Sequence, residues 1–596
     1  MSRPVAGILC GAMVLAVVAM FMPFLPTAAG TMGHDYGFNL PNLLVGYYWF
    51  LHNGVTQLPW FSPAQCGGFP YFADPSVAYI SLPQMLVVLV SPLRAVQLTF
   101  VLFALIGLCG AYLLMRRGFR SSRAAAVLAA GLFVFNGFYV YRVLIGHLPY
   151  HGFALAPLTI LLLLPGGGAR IALLSRLGSV SAAALCFAYM FQVGMIHVIP
   201  PLLLATGILL LVHALCFGWR WEPWLRFGAA GLLSLTLCAG KLVAELALLA
   251  NFPRNLYPLP GVPGIGTLLS LVGQALFISA PEDATAHLAN AQWPQERNEW
   301  EYSVSIVPAL LLAVAAVAAI ARWPRHARPT GAQVLIIAAI LALLACPLLL
   351  NWYQPAWNGI LKSLPYFGSA SSLLRFFCAY IPVVIVLACL ALDRLPWPAG
   401  SGARLRSAVV VFCLGVIVAQ NALTERDYYA GQSYQVQPIE AAYARARATG
   451  EVPPIEAIVD TGRLTERAND AMMAGGSQLD CYQPLLGYRR EKFPVAPLRL
   501  GRVDQRIDGV LNLKNPACYL FSAENQCRPG DHFTVARAAD AAAFLAYRPF
   551  PFVQPLRQQL ATWISLLAGI AMVVVLLLWG GVAVRRRLEH PRHDYF

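Results

Sequence analysis

Long apolar runs dominate this chain, and each is followed by a stretch that is rich in arginine or in aromatic and acidic residues. The runs approach the roughly 20 residues that a helix needs to cross a bilayer. We read twelve of them, at about 5–27, 94–115, 124–144, 151–165, 178–194, 198–217, 227–250, 304–321, 332–350, 374–392, 405–422 and 561–583. Only 12% of the 596 residues are charged, against about 25% in soluble proteins. The pattern predicts an all-α polytopic membrane protein with about twelve transmembrane helices.

Arginine residues cluster in alternate short loops, and this sets the orientation. The clusters are Arg116–Arg123, Arg170 with Arg176, Arg220 with Arg226, Arg322–Arg328, Arg394–Arg406 and the tail Arg585–Arg592. Positive residues in short loops favour the cytoplasmic side. We therefore expect both termini in the cytoplasm and the protein in a bacterial inner membrane. The formal charge of +15 then reflects topology, and it gives no reason to expect nucleic acid as a partner.

Four longer polar segments fall on the opposite, periplasmic side: 28–93, 251–303, 351–373 and 423–560. The last is long enough for a small domain, and Glu456–Val459 reads as a strand within it. The predicted organisation is a transmembrane module over 1–422, a periplasmic mixed α/β domain over 423–560, and a final helix with a basic tail over 561–596.

Nine of the 13 cysteines lie in apolar spans, where a buried thiol behaves as a small hydrophobe. Cys518 and Cys527 stand nine residues apart in the outer domain, where the oxidising periplasm favours a disulfide. Cys66 and Cys481 form a second candidate pair.

The first outer loop is acidic in an otherwise basic protein. Between Gly30 and Leu93 it has no lysine or arginine, and its acidic residues are Asp35 and Asp74. A carboxylate at the membrane surface can act as a general base for a hydroxyl nucleophile. The competing interpretations are that Asp35 caps the following helix and that Asp74, which precedes Pro75, only forms a turn.

Basic residues at the outer ends of spans are candidates for binding a phosphate. They are Arg142, Lys241, Arg254 and Arg375. The planar fork of arginine matches phosphate oxygens. The alternatives are a Lys241–Glu245 pair that only stabilises packing and arginines that reach up to lipid headgroups.

His147 and His151 stand four residues apart beyond the third span. That spacing can hold a metal on a regular helix, but Pro149 interrupts the helix. We favour a hydrogen-bonding role for His147 near Asp35, which makes it a third catalytic candidate. The sequence requires no metal and leaves a divalent ion as an open cofactor.

Short motifs follow one another in a characteristic order: Asp35, Pro59–Pro63, Gly67–Pro70, Ala73–Pro75, Gly146–Leu148, Lys241 to Arg254, Glu299–Tyr302 and Arg375–Phe376. Over roughly residues 1–420 this order resembles the YfhO-like bacterial membrane proteins, a branch of the GT-C glycosyltransferase superfamily. The resemblance implies a polyprenyl-phosphate-linked sugar donor, and an acidic residue of the first outer loop that activates the acceptor or helps to bind a metal. Asp35 matches that residue. His34-Asp35 stands where those enzymes carry an acidic pair.

The resulting hypothesis is a periplasm-facing glycosyltransferase whose acceptor is an envelope glycan, lipid or protein. A flippase for lipid-linked glycans and a non-enzymatic envelope scaffold remain as alternatives. The flippase needs no activating carboxylate and tends to show internal repeats, which the sequence lacks.

Overall fold

The computed structural model describes residues 1–24, 26–27, 29–165, 173–252, 258–291, 295–322, 329–398, 400–430, 432–460, 469–479 and 497–589. Within these ranges, nine helices are long and apolar enough to cross a membrane. They are Pro92–Gly118, Arg123–Ile145, Leu174–Gln192, Ile199–Phe217, Glu222–Asn251, Gly331–Asn351, Leu374–Arg394, Gly402–Thr424 and Leu556–Val582. The chain is therefore a polytopic helical membrane protein.

Shorter apolar helices accompany these nine. They are Arg3–Ala19, Leu148–Leu163, Ile265–Phe277 and Ile306–Ala321. The predicted spans 5–27, 151–165 and 304–321 correspond to three of them, and the other nine predicted spans coincide with the long helices. The total of twelve crossings stays a prediction.

The segments between the apolar helices contain the strands and the remaining helices. The helices are Tyr36–Asn53, Leu82–Leu86, Pro355–Ser363, Gln437–Thr449, Ala517–Leu520 and Ala538–Leu545. Two three-stranded sheets lie late in the chain. One has the order Gly476–Gln478, Ala457–Val459, Gly501–Arg502, with the first pair parallel and the second antiparallel. The other is antiparallel, in the order His532–Thr534, Val510–Lys514, Arg506–Ile507.

The late outer region packs on the first outer loop. Strand Thr31–Met32 pairs antiparallel with Tyr434–Gln435. The backbone N–H of Lys514 donates to the carbonyl of Gly67 at 2.8 Å, and the rings of Phe61 and Phe550 stack at 5.3 Å between centroids. One continuous hydrophobic core includes side chains from both regions and from the membrane helices. The first outer loop therefore packs against both the late region and the membrane helices.

Cys518 and Cys527 are joined by a disulfide, with 5.7 Å between their Cα atoms. Cys66 is also disulfide-bonded, and Cys481 lies outside the described residues.

Candidate functional site

The segment that carries Asp35 packs on the C-terminal end of the third predicted span. The backbone N–H of Asp35 donates to the Ile145 carbonyl at 3.0 Å. The Tyr36 hydroxyl donates to the Val143 carbonyl at 2.6 Å, and the Asn39 amide donates to the Gly146 carbonyl at 2.7 Å. These bonds satisfy carbonyls that the end of a helix otherwise leaves unpaired, and they fix the loop to the helix.

Two glycines permit this close approach. Gly146 ends its helix in the left-handed conformation, at φ 101°, which glycine adopts without steric cost. A Cβ at Gly146 would lie 2.5 Å from the backbone nitrogen of Tyr36, and a Cβ at Gly33 would lie 2.2 Å from the carbonyl oxygen of Leu144. Both neighbours are backbone atoms, so neither can move aside cheaply.

Gly33→Ala is expected to destabilise the protein by roughly 1–3 kcal/mol, because the added methyl forces the loop off the helix end. Thermal melting of the detergent-solubilised protein measures this. Gly266→Ala is the matched control, since a Cβ there meets nothing within 4 Å. Equal melting temperatures for the two variants would contradict the tight docking of the loop.

Asp35 stands at the position that caps helix Tyr36–Asn53, but its side chain makes no capping hydrogen bond. Its Oδ2 instead lies 2.5 Å from Nε2 of His147, and its Oδ1 lies 3.5 Å from Nε2 of His34. Asp35 is 4% exposed. The carboxylate is thus directed at His147 and His34 and not at its own helix.

Arg142 lies directly behind His147. Its Nη1 is 2.8 Å from Nδ1 of His147, and its guanidinium contacts the rings of Phe138 and Tyr150, 5.0 and 4.9 Å from their centroids. Arg142 is 1% exposed. Such cation–π contacts stabilise a desolvated guanidinium.

Glu299 neutralises two arginines of this cluster. It accepts from Nε of Arg375 at 3.1 and 3.0 Å and from Nη2 at 2.5 Å, and its Oε1 lies 3.8 Å from Nη1 of Arg142. Burial alone would raise the pKa of Glu299, but the charges of Arg375 and Arg142 outweigh burial and lower it to about 2. Glu299 is therefore a permanent carboxylate at neutral pH.

Burial lowers the pKa of His147, and it does so against the opposing pull of the Asp35 carboxylate. The charges of Arg142 and Arg375 lower the pKa further. His147 is consequently neutral at physiological pH. The outer cluster, defined as Asp35, His147, Arg142, Glu299 and Arg375, then holds two negative and two positive charges.

Asp74 and Lys241 belong to a second group with other partners. The Lys241 ammonium donates to the carbonyls of Val77 and Gln192 at 2.9 and 3.0 Å and lies 3.8 Å from Glu245. Asp74 accepts from the backbone N–H of Ser76 at 2.7 Å, which is the turn geometry of an aspartate before proline. This group ties the first outer loop to the membrane helices.

The structure thus brings together four of the seven residues that the sequence singled out for catalysis and phosphate binding: Asp35, His147, Arg142 and Arg375. Asp74 and Lys241 lie in the second group, and Arg254 lies outside the described residues.

Sequence analysis did not assign Glu299 to the site, although its motif Glu299–Tyr302 was a signal. Residues Arg297–Glu299 form a short 3-10 helix, and the two glutamates of the motif have different partners. Glu299 pairs with Arg375, whereas Glu301 pairs with Arg297 at 3.2 Å. The Tyr302 hydroxyl lies 2.7 and 2.9 Å from the carbonyl oxygens of Glu299 and Leu374, and this fixes Glu299 beside the helix that Arg375 opens.

The donor atoms around Asp35 do not fit a divalent cation. Among the described residues, no three His, Cys, Asp or Glu side chains are grouped as metal ligands. One oxygen of Asp35 is taken by His147, and Arg142 and Arg375 place positive charge nearby. Magnesium and calcium prefer several carboxylate or carbonyl oxygens, so we derive no step through a metal.

Two of three comparisons with known proteins found no match: a scan against protein-family models and a search of curated proteins. A search of solved structures matched the arabinofuranosyltransferase AftD from Mycobacteria, at 17% sequence identity and a TM-score of 0.42. The match covers 80% of this chain and 33% of AftD, so the chain spans about a third of that protein's length.

Proposed function

We propose that this protein is a GT-C type membrane glycosyltransferase. It moves a sugar from a polyprenyl-phosphate donor to an envelope acceptor at the periplasmic face, and Asp35 is its general base. One observation carries the proposal. The Asp35 side chain makes no hydrogen bond that caps its helix, and it contacts His147 within a buried cluster of ionisable groups at the end of a membrane helix. Perturbed ionisable groups clustered in this way are typical of functional sites.

The chemistry follows from the groups present. The acceptor hydroxyl loses its proton to Asp35 as its oxygen bonds to the anomeric carbon. The bond from that carbon to the phosphate oxygen breaks, and the polyprenyl phosphate leaves with the electron pair. Preorganised positive charge lowers the energy of such a developing anion.

Arg375 is the first candidate for this stabilisation. It is the more open arginine of the cluster, with 26% of its side chain exposed, while Arg142 is buried. Among the described residues, Glu299 accepts from Nε and Nη2 of Arg375, and Nη1 is the nitrogen that we assign to a phosphate oxygen. Binding of the donor phosphate by Arg142, Lys241 and Arg254 remains a prediction from the sequence. A catalytic role for Asp74 likewise remains a prediction.

Transfer from a defined polyprenyl-phosphate sugar by the purified protein tests the proposal. We expect turnover that Asp35→Asn abolishes. Donor that crosses a vesicle bilayer with its sugar still attached would favour the flippase, and neither transfer nor movement would favour the scaffold.

The periplasmic placement is tested separately. A cysteine introduced at exposed Glu451 should react with a membrane-impermeant maleimide in cells whose outer membrane alone is permeabilised, because the arginine-rich loops keep the opposite side cytoplasmic. Reaction only after the inner membrane is lysed would overturn the predicted topology.

A further inference from the structure

Both ring nitrogens of His147 are engaged, and their partners define its protonation. A guanidinium can only donate hydrogen bonds, so Nη1 of Arg142, 2.8 Å away, requires Nδ1 of His147 to accept. A neutral imidazole carries one N–H. The proton of His147 therefore sits on Nε2 and is donated to Oδ2 of Asp35, at 2.5 Å.

We propose that His147 and Arg142 are positioning residues for Asp35. Arg142 fixes His147 as a neutral Nε2–H donor, and His147 holds Oδ2 of Asp35 and so fixes the orientation of the carboxylate. The inference rests on the proposed role of Asp35 as a base. It assigns His147 no proton transfer of its own, and it assigns Arg142 a task other than holding the donor phosphate.

The groups around His147 support the assignment of its proton to Nε2. The groups that face its ring are Asp35, Arg142, Arg375, Glu299 and Tyr150, with His34 and Glu296 beyond Asp35. A second proton on Nδ1 would place two N–H donors against each other at 2.8 Å. His147 therefore cannot take a proton from the acceptor while Arg142 stays in place.

Glutamine separates positioning from proton transfer. Its amide nitrogen can donate to Asp35 and its amide oxygen can accept from Arg142, yet it cannot be protonated near neutral pH. We expect His147→Gln to keep transfer within about 10-fold of wild type, and His147→Leu, which can do neither, to lose on the order of 10²-fold through misplacement of Asp35. Equal losses in the two variants would overturn the proposal.

The tautomer can be read directly in the wild-type protein. Nitrogen-15 spectra of the histidine-labelled protein, with the His147 signals assigned by their absence in His147→Gln, should show Nδ1 without a proton and Nε2 with one. That pattern should persist at pH 6.5, the ordinary pKa of a histidine, because burial and the charges of Arg142 and Arg375 lower the pKa of His147. A proton on Nδ1 at pH 7 would overturn the proposal.

Arg142→Met, which keeps length without charge or donor, should release the ring. One of the positive charges that lower the pKa of His147 is then absent, so His147 gains a proton at a higher pH than in wild type. Transfer by the variant should accordingly fall toward acid at a higher pH than transfer by wild type. Arg142→Lys keeps a charged donor and should restore the wild-type profile. If transfer by Arg142→Met and by wild type depended on pH in the same way, this would contradict the claim that Arg142 keeps Nδ1 of His147 unprotonated.

Failure here is distinguishable from failure of the proposed function. A fully active Asp35→Asn variant would refute Asp35 as the base. An inactive His147→Gln variant alongside an inactive Asp35→Asn variant would leave the base in place and remove only the positioning role.

Discussion

Asp35→Asn is expected to lose sugar transfer by roughly 10²–10⁴-fold, the usual contribution of a general base, while the melting temperature stays close to that of wild type. Asparagine keeps the size of the side chain, and its amide oxygen can still accept from Nε2 of His147. Asp35 makes no capping hydrogen bond to its helix, so the substitution removes no cap. What it removes is the charge that accepts a proton.

Asp74→Asn is the matched comparison, since asparagine can accept the same backbone hydrogen bond from Ser76 and the turn is kept. Transfer that continues in this variant would remove Asp74 as a candidate for catalysis. A loss as large as that of Asp35→Asn would show that the second group, around Lys241, takes part in the chemistry.

Glu299→Gln is expected to lower the free energy of unfolding by about 3 kcal/mol at pH 7, because a pKa that drops from 4.5 to about 2 is worth about 1.4 kcal/mol for each pH unit. The stabilisation comes from the buried contact with Arg375 and Arg142. It is fully present above pH 4.5 and is lost as pH falls from 4.5 toward 2. The gap in melting temperature between variant and wild type should close over that window.

Glu296→Gln serves as its control. Its side chain is 45% exposed and lies 3.9 Å from His34, so water screens the pair and the melting temperature should change little. A pH-independent gap for Glu299→Gln would show that the loss comes from packing and not from charge.

Much of the fold follows from sequence alone because membrane helices are long and uniform in composition. Nine predicted spans coincide with long apolar helices. The predicted strand Glu456–Val459 contains the observed strand Ala457–Val459. Such features depend on local hydropathy and β-propensity, which a sequence displays directly.

Local sequence does not show which of the candidate site residues lie in the same cluster. Asp35 and Asp74 look alike in sequence, yet one meets His147 and the other forms a turn before proline. The difference depends on which helix end each part of the loop reaches, and on backbone contacts that Gly33 and Gly146 make possible. Glu299 was missed for a related reason, since its partner Arg375 is 76 residues away in the chain.

The most direct test of the central claim is single-turnover transfer with the donor already bound. Wild type and Asp35→Asn are loaded with polyprenyl-phosphate sugar, mixed with acceptor and quenched over time, while donor affinity is measured in parallel. We expect the rate constant of the variant to fall on the order of 10²–10⁴-fold, with the donor Kd changed by less than about twofold, because Asp35 acts on the acceptor and not on the donor phosphate. A variant that transfers its bound sugar at the wild-type rate would contradict the assignment of Asp35 as the base.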